Sequence, residues 1–414
     1  MKEVLQKIKF SDEIGILLGG ILILLRVPKI IMEGRFWAEM GSNYFADAMN
    51  YSWYEPFLKN QDGFYGIYPR IAALIASALP LRFAPYADIG LALLAQLSLV
   101  YLIFKSGLLT ESWHKGLALL LILFATPSNE VWLTCTTIHF HFGAGAGIIL
   151  CSPSSHKIPK WGLRIYLLII GLTGPVACFL LPLFWLRYFL DKDKARLDQC
   201  LWLTGAGCVQ FLAVLVSLQN QTRQVSRDFS HVLPSFAVRH IGLPWLGYYS
   251  RYMSTQLVGE VFWKQGFWYG IIALALAGYR WIFAEARKTP AILWLLASMV
   301  VISLLSSAGQ LSGIGSIEMV LMSVENRYGF APNVLLLLAF LLASKNAVQV
   351  WRRRISMIMV GWAIVVGFGY YITDSAYFFH GPSWPEAVKA HELHPEQPIP
   401  VWPEPWVIKL NSTK

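Results

Sequence analysis

The stretch Ile14-Gly-Ile-Leu-Leu-Gly-Gly-Ile-Leu-Ile-Leu-Leu-Arg26-Val-Pro-Lys-Ile-Ile31, followed at once by Glu33-Gly-Arg35-Phe-Trp-Ala-Glu39, decides the fold class. Its first part is an apolar run close to the roughly 20 residues that a helix needs to cross a bilayer. Its second part opens a polar loop that continues to Arg70. That loop carries Glu33, Glu39, Asp47, Glu55 and Asp62, interleaved with Phe, Tyr and Trp. The same alternation of long apolar runs and short charged loops recurs along all 414 residues. Hydrophobic residues make up 56% of the chain, charged residues 14%, and the mean hydropathy is +0.50. A soluble domain carries about 25% charged residues. Only helices and closed barrels satisfy the backbone within hydrocarbon, and these runs lack the two-residue alternation of barrel strands. The sequence therefore reads as all-α, a polytopic transmembrane helical bundle of about 10–12 membrane helices, counting short or re-entrant ones.

The formal charge of +10 is not a nucleic-acid footprint. Many of the Lys and Arg sit in short loops beside the apolar runs, where they set topology. The N-terminal lysines, Lys157–Arg164, Lys192–Arg196, Arg287–Lys288 and Arg352–Arg354 are expected on the cytoplasmic side. With no small-residue cleavage site behind it, the first span reads as an uncleaved anchor. Spans are expected near 14–32, 87–104, 115–127, 131–151, 198–217, 266–284, 291–308, 329–344 and 355–373. Two places break the count. Ile71–Pro80 is too short to cross and is expected to dip into the outer leaflet and return through Leu81–Tyr86. Leu163–Arg187 is basic at both ends and carries Gly171-Leu-Thr-Gly-Pro175 in the middle. It reads as a hairpin of two short helices, because proline lacks an N–H and breaks the ladder. Residues 1–373 then form the transmembrane domain. Residues 374–414, rich in Pro and Trp, read as an irregular extracytoplasmic tail at the interface.

This parity puts four polar regions on the outer face: loop 33–70, the turn Thr126-Pro-Ser-Asn-Glu130, loop 218–265, and the turn Glu325-Asn-Arg327-Tyr328. Glu33 and Glu39 lie six apart, so they do not share a helix face closely. A turn followed by a helix would still aim both into one cavity. A carboxylate there can act as general base on a hydroxyl, or hold a divalent metal that steadies a leaving phosphate. The bland alternative is solvated charges pairing with Arg35, Lys59 and Arg70. Loop 218–265 carries Arg223, Arg227, Arg239, His240, Arg251 and Lys264 against the positive-inside bias. Arginine forks match phosphate oxygens, and lipid headgroups would attract them as well. Arg327 stands at the mouth of the span that begins near Gly329, and a helix N-terminus with an arginine suits an anion. Pairing with Glu325 is the alternative there.

Other patterns carry no chemistry. The five cysteines show no paired spacing and read as small buried hydrophobes. His139 and His141 are two apart, so a helix would not make them paired ligands, and His391-Glu-Leu-His394 lacks the zinc-protease spacing. Asn220-Gln-Thr222 and Asn411-Ser-Thr413 match the glycosylation pattern by chance as readily as by design. No Walker A, GxSxG or dinucleotide fingerprint occurs, so a soluble nucleotide-sugar domain is absent from the reading. No cofactor is implied, and nucleic acid is not an expected partner.

With these pieces in place the chain resembles a GT-C-type integral membrane glycosyltransferase. Glu33-Gly-Arg35-Phe-Trp-Ala-Glu39 is similar to the acid–x–Arg–aromatic–Ala–Glu pattern after the first span of lipid A aminoarabinose transferases and related bacterial enzymes. Gly66-Ile-Tyr-Pro-Arg70, Pro127-Ser-Asn-Glu130, Gly171-Leu-Thr-Gly-Pro175, Arg327-Tyr328 and Trp402-Pro-Glu-Pro-Trp406 extend the resemblance over most of the length. That pattern opens with two adjacent acids, whereas here Met32 precedes Glu33. The resemblance implies transfer of a sugar from a polyprenyl-phosphate donor to a glycan or lipid acceptor, at the outer face of a bacterial inner membrane, for cell-envelope or exopolysaccharide assembly. It implies a catalytic acid among Glu39, Glu33 and Asp47. It implies donor-phosphate binding by Arg327, Arg239 and Arg35, with Tyr328, Glu130 and Arg70 lining the substrate cavity. The competing expectation is a transporter or flippase for lipid-linked glycans, or a non-catalytic accessory protein.

Overall fold

The computed structural model describes residues 11–59, 63–154, 157–219, 232–258, 280–310, 320–321, 327–373 and 381–411. It is a helical bundle. Among the described residues five helices are long and apolar enough to cross a membrane: Leu81–Lys105, Lys194–Ser217, Pro290–Ala308, Arg327–Asn346 and Val350–Ile372. They become six if the bent pair Lys160–Leu172 and Pro175–Asp191 is one span. Shorter apolar helices fill in between them. An integral, multi-pass membrane protein fits these helices.

In chain order the helices that build the bundle are α1 (Asp12–Leu25), α2 (Pro28–Glu33), α3 (Ile67–Ser77), α4 (Pro85–Lys105), α5 (Ser112–Leu123), α6 (His139–Cys151), α7 (Lys160–Leu172), α8 (Pro175–Cys178), α9 (Leu181–Asp191) and α10 (Lys194–Gln219). They continue with α11 (Pro290–Gln310), α12 (Phe330–Asn346), α13 (Val350–Ile372) and α14 (Trp384–Leu393). Helix α12 is the axis of the bundle. Every residue from Phe330 to Ser344 is buried, as a helix apolar on all sides must be. It packs against α11, α13, α6 and α5.

Helix α6 is buried along its whole length too, and its Gly143-Ala-Gly-Ala-Gly147 run explains how. Gly143 faces Val176, Gly145 faces the Tyr166 hydroxyl, and Gly147 faces Leu335. Small residues let membrane helices approach closely. A Cβ on Gly147 would lie 2.7 Å from Leu335 Cδ2. Gly147→Leu is therefore expected to destabilise the bundle by about 1–3 kcal/mol through overpacking, seen as a lower thermal unfolding midpoint in detergent. An unchanged midpoint would show that α6 and α12 separate freely.

The chain corrects several span boundaries. The expected span 14–32 breaks at Arg26-Val27: α1 ends at Leu25, and Pro28 starts α2. Proline is favoured at a first helical position and excludes continuation from the preceding turn. The expected span 131–151 is helical only from His139, because the preceding residues form a turn carrying polar side chains. The expected span 266–284 lies largely outside the described residues. Helix α3, at 11 residues, is too short to cross. The chain breaks between α7 and α8 at Gly174, with 112° between the two arms of the pair. The C-terminal tail is not irregular. It forms α14 and a two-stranded antiparallel hairpin, β1 (Ile399–Pro400) with β2 (Val407–Ile408). It packs on the first loop: Trp402 N–H donates to Phe36 O, Asn50 Nδ2 to Lys409 O, and Asn411 N–H to Asn50 Oδ1. Phe36, Met40, Tyr44 and Phe45 share one apolar cluster with Trp384, Ile399, Val401 and Ile408.

Several basic residues of the short connections between helices gather at one end of the bundle. Lys105 and Lys115 both hold Asp12, at 2.9 and 2.6 Å. Lys157 N–H donates to Lys105 O, Arg164 grips Asp198, and Lys345 reaches Thr110. Asp12 is partly buried. Burial opposes its charge, and the hydrogen bonds from Lys115 and Lys105 outweigh this, so its pKa is lowered from 3.8. A carboxylate lowered on folding contributes stability that is present above its unfolded pKa and lost as pH falls through the folded one. Asp12→Asn is thus expected to reduce stability near pH 7, by up to about 1 kcal/mol. Unfolding measured in acid, well below 3.8, should show no difference between variant and wild type. A difference that persists there would contradict the ion-pair account.

Candidate functional site

The opposite end of the bundle carries the polar residues singled out from sequence. Its centre is the turn Thr126–Cys135, between α5 and α6. Two buried arginines pin that turn, Arg26 from the break between α1 and α2 and Arg35 from the first loop. Arg26 donates to Ser128 Oγ and Asn129 Oδ1, both at 2.7 Å, and lies 4.3 Å over the Trp132 ring. Arg35 donates to Trp132 O at 3.0 Å and lies over Trp37 and Trp402. Burial pulls the Arg35 guanidinium down to about 9, and the charge of Asp88 opposes that shift. Asp88 in turn accepts from Cys135 N–H at 2.8 Å. The Trp132 indole donates to Ile23 O. Few residues of the turn are exposed, so these contacts hold Glu130 in a fixed place.

Glu130 meets Arg327 there. Its Oε2 accepts from the Arg327 backbone N–H at 3.3 Å and from the guanidinium at 3.5 Å. Glu39, from the first loop, also lies close enough to act electrostatically on Arg327. Arg327 begins the turn Arg327–Gly329 that feeds α12, and its side chain stays about one third exposed, 31%. The Tyr328 ring has Arg327 at 5.7 Å and Arg239 at 5.9 Å from its centroid, and packs edge-on to Phe140. His139 lies against Phe64, and its electrostatic neighbour is Arg327. The break at Gly174 closes on the His139 ring. Gln210, inside α10, ties the neighbouring loop to that break: it donates to Tyr65 O and Gly171 O and accepts from Tyr65 N–H.

Behind Tyr328 lies a buried polar network. Asn333 Nδ2 donates to Thr126 O at 2.5 Å and Arg239 O at 2.9 Å. Those two carbonyls fix the amide, so Oδ1 faces His240 Nδ1 at 2.7 Å and the imidazole donates there. His240 Nε2 sits 2.6 Å from Ser303 Oγ, and Arg239 donates to Ser307 Oγ at 2.9 Å.

Glu39, Glu130, Arg327, Tyr328 and Arg239 thus come together. Of the three arginines assigned to a phosphate, Arg327 alone has an open guanidinium, while Arg35 and Arg239 are buried and engaged. Asp47 and Arg70 form a second cluster. Asp47 pairs with Lys59 at 2.5 Å. Arg70 is buried and donates to Pro56 O, Gly66 O and Lys59 O. Those bonds make it a brace for loop 55–66, because they tie three carbonyls along the loop to one side chain of α3. Glu33 is half-buried at the end of α2, next to Gly34, whose φ of 78° turns the chain toward Arg35. Glu325, Arg223, Arg227, Lys264 and Asp62 lie outside the described residues. No group of three or more His, Cys, Asp and Glu is placed to hold a metal ion among the described residues. Arg26, Asp88 and Asn333 were missed as site residues, His139 was set aside for its spacing from His141, and His240 was named only among the cations of loop 218–265. The signal available for Arg26, Asp88 and Asn333 was a polar side chain inside an apolar run.

No protein-family model matches the chain, and a search of curated proteins finds no significant match.

Proposed function

We propose that this protein is an integral membrane glycosyltransferase that moves a sugar from a polyprenyl-phosphate donor to a hydroxyl of a glycan or lipid acceptor, on the extracytoplasmic face of a bacterial inner membrane. One observation carries the reading: a partly exposed arginine, Arg327, stands at the end of a buried apolar helix, paired with Glu130 and within electrostatic reach of Glu39 from a separate element. In the proposed reaction the donor phosphate displaces Glu130 from Arg327. Glu39 takes the proton from the acceptor hydroxyl, and the acceptor oxygen bonds to the anomeric carbon. The carbon–oxygen bond to phosphate breaks, and polyprenyl phosphate leaves with its new charge on Arg327. Preorganised charges in a dry site are worth more than in water. Tyr328 and the buried Arg239 back the open arginine, and Arg26 and Arg35 hold the Glu130 turn. Divalent metal at Glu39 is compatible with the same scheme. The test is transfer of radiolabelled sugar from defined polyprenyl-phosphate donors by the purified protein in liposomes. Incorporation into acceptor supports the reading, and none across a donor panel counts against it.

A second reading, a flippase for the same lipids, draws on the broken helix whose tip at Gly174 meets His139. Broken helices shape transporter sites. Movement of a fluorescent lipid phosphate between leaflets, with no chemical transfer, would select it.

A further inference from the structure

Two segments at the site-bearing end carry large aromatic and aliphatic side chains that are exposed among the described residues. The first is Tyr51–Leu58, where Trp53 is 70% and Leu58 79% exposed, with Tyr54 beside them. Arg70 holds this segment against α3 through Pro56 O and Lys59 O. The exposed Ile75, Leu79 and Phe83, on and just after α3, continue the same surface. The second is Leu246–Tyr252, where Tyr249 is 84% exposed. It is held against α13: Tyr248 stacks on Tyr370 at 3.9 Å, and Trp362 donates to Trp245 O. At the other end of the bundle the exposed Trp161 and Trp351 each lie beside an arginine, Arg164 and Arg352. From Trp351 to Tyr370 the axis of α13 rises about 29 Å, at ~1.5 Å per residue. The hydrocarbon layer of a bilayer is roughly 30 Å thick.

We infer that Tyr51–Leu58 and Leu246–Tyr252 are interfacial anchors that lie in the headgroup layer of one leaflet, and that their occupant is the bilayer itself. Trp and Tyr concentrate where an apolar ring and a polar tip are both satisfied, at the membrane–water boundary. Both segments run on from surfaces of helices that the bundle leaves to lipid, and the second belt at Trp161 and Trp351 lies one bilayer thickness away. An interfacial segment of this kind buries its apolar face roughly 5–10 Å into the boundary. The consequence is a depth for the site. Tyr370 O accepts from Arg26, and Arg26 holds the turn that presents Glu130 to Arg327. The Arg327 cluster is therefore level with lipid headgroups. This inference needs the membrane reading alone and is independent of sugar transfer.

Site-directed spin labelling in lipid nanodiscs tests it. Cys208, the one exposed cysteine of the five, is first changed to serine. Single labels are then placed at Trp53→Cys, Leu58→Cys and Tyr249→Cys. Leu212→Cys in α10 serves as a lipid-facing control, and Glu396→Cys as a water-facing one. Power saturation compares collisions with oxygen and with a water-soluble nickel chelate. The expected result is oxygen access severalfold above nickel access at 53, 58 and 249, intermediate between the two controls. Nickel access matching Glu396→Cys would overturn the inference, because the segments would then be solvated. Loss of access to both reagents would also overturn it, because a protein surface would then cover them. Leu58 and Tyr249 sit on separate segments, so failure of one variant to fold leaves the other to decide.

Discussion

Glu39→Gln is expected to lower sugar transfer by about 10²–10⁴-fold, roughly 3–5 kcal/mol of barrier, while the protein stays folded and still binds donor lipid. The substitution keeps the shape and most of the hydrogen-bonding capacity of the side chain. It removes the base, and it removes one of the two carboxylates whose charge reaches Arg327. A surface carboxylate without a chemical role would change stability by under about 0.5 kcal/mol and leave the rate alone. Under the proposed mechanism the geometry favours Glu39 among the three acids that sequence left unranked. Asp47 is committed to Lys59 in the cluster braced by Arg70. Glu33 ends α2 before the chain turns at Gly34. Asp47→Asn and Glu33→Gln are therefore expected to transfer near the wild-type rate. A Glu39→Gln variant at full rate, with Asp47→Asn inactive, would move the proposed base to the second cluster.

Asn333→Leu is expected to have the largest effect on stability, about 2–4 kcal/mol. The side chain is fully buried and serves three partners at once: Thr126 O, Arg239 O and His240 Nδ1. Leucine fills the volume, but it leaves two carbonyls and an imidazole without their partner inside the bundle. Removing one member of a satisfied buried network leaves the desolvation of the others uncompensated. A fall in thermal unfolding midpoint in detergent, larger than that of Gly147→Leu, is the expected outcome. Wild-type stability would mean that the network relaxes onto other groups. Arg239 precedes His240 and lies 5.9 Å from the Tyr328 ring centroid, so the same variant should weaken anion binding at Arg327 in whatever protein remains folded.

Much of the fold was legible because it is written in local pattern. Apolar runs of span length, the break at Gly174-Pro175 and the clustering of basic loops all follow from composition over short windows. The basic loops do meet at one end, through Lys105, Asp12, Lys157 and Lys345. Pairing of the acids and arginines was legible only in part. Arg327 and Glu39 were marked from their loops; Glu325, the partner that sequence proximity offered, lies outside the described residues, and Glu130 pairs with Arg327 from 197 residues away. Arg26 was read as part of a continuous span, but its partners Ser128 and Asn129 are about a hundred residues away. Asn333 was not singled out, because its partners come from two distant elements, the Thr126 turn and the segment Val238–Gly242. The tail was read as irregular, since Pro and Trp signal neither helix nor strand by periodicity. Its order comes from packing on Phe36 and Trp37. Long-range hydrogen bonds leave no local periodicity, and these misses share that cause.

The most direct test of the central claim is the position of a donor phosphate. Cryo-electron microscopy of the protein in nanodiscs, saturated with a polyprenyl-phosphate-linked sugar, should show the phosphate within hydrogen-bonding distance of the Arg327 guanidinium, with the Glu130 contact opened and Glu39 facing the anomeric carbon. A phosphate bound in the Asp47–Arg70 cluster, or a lipid bound elsewhere with the Arg327–Glu130 pair intact, would contradict the account.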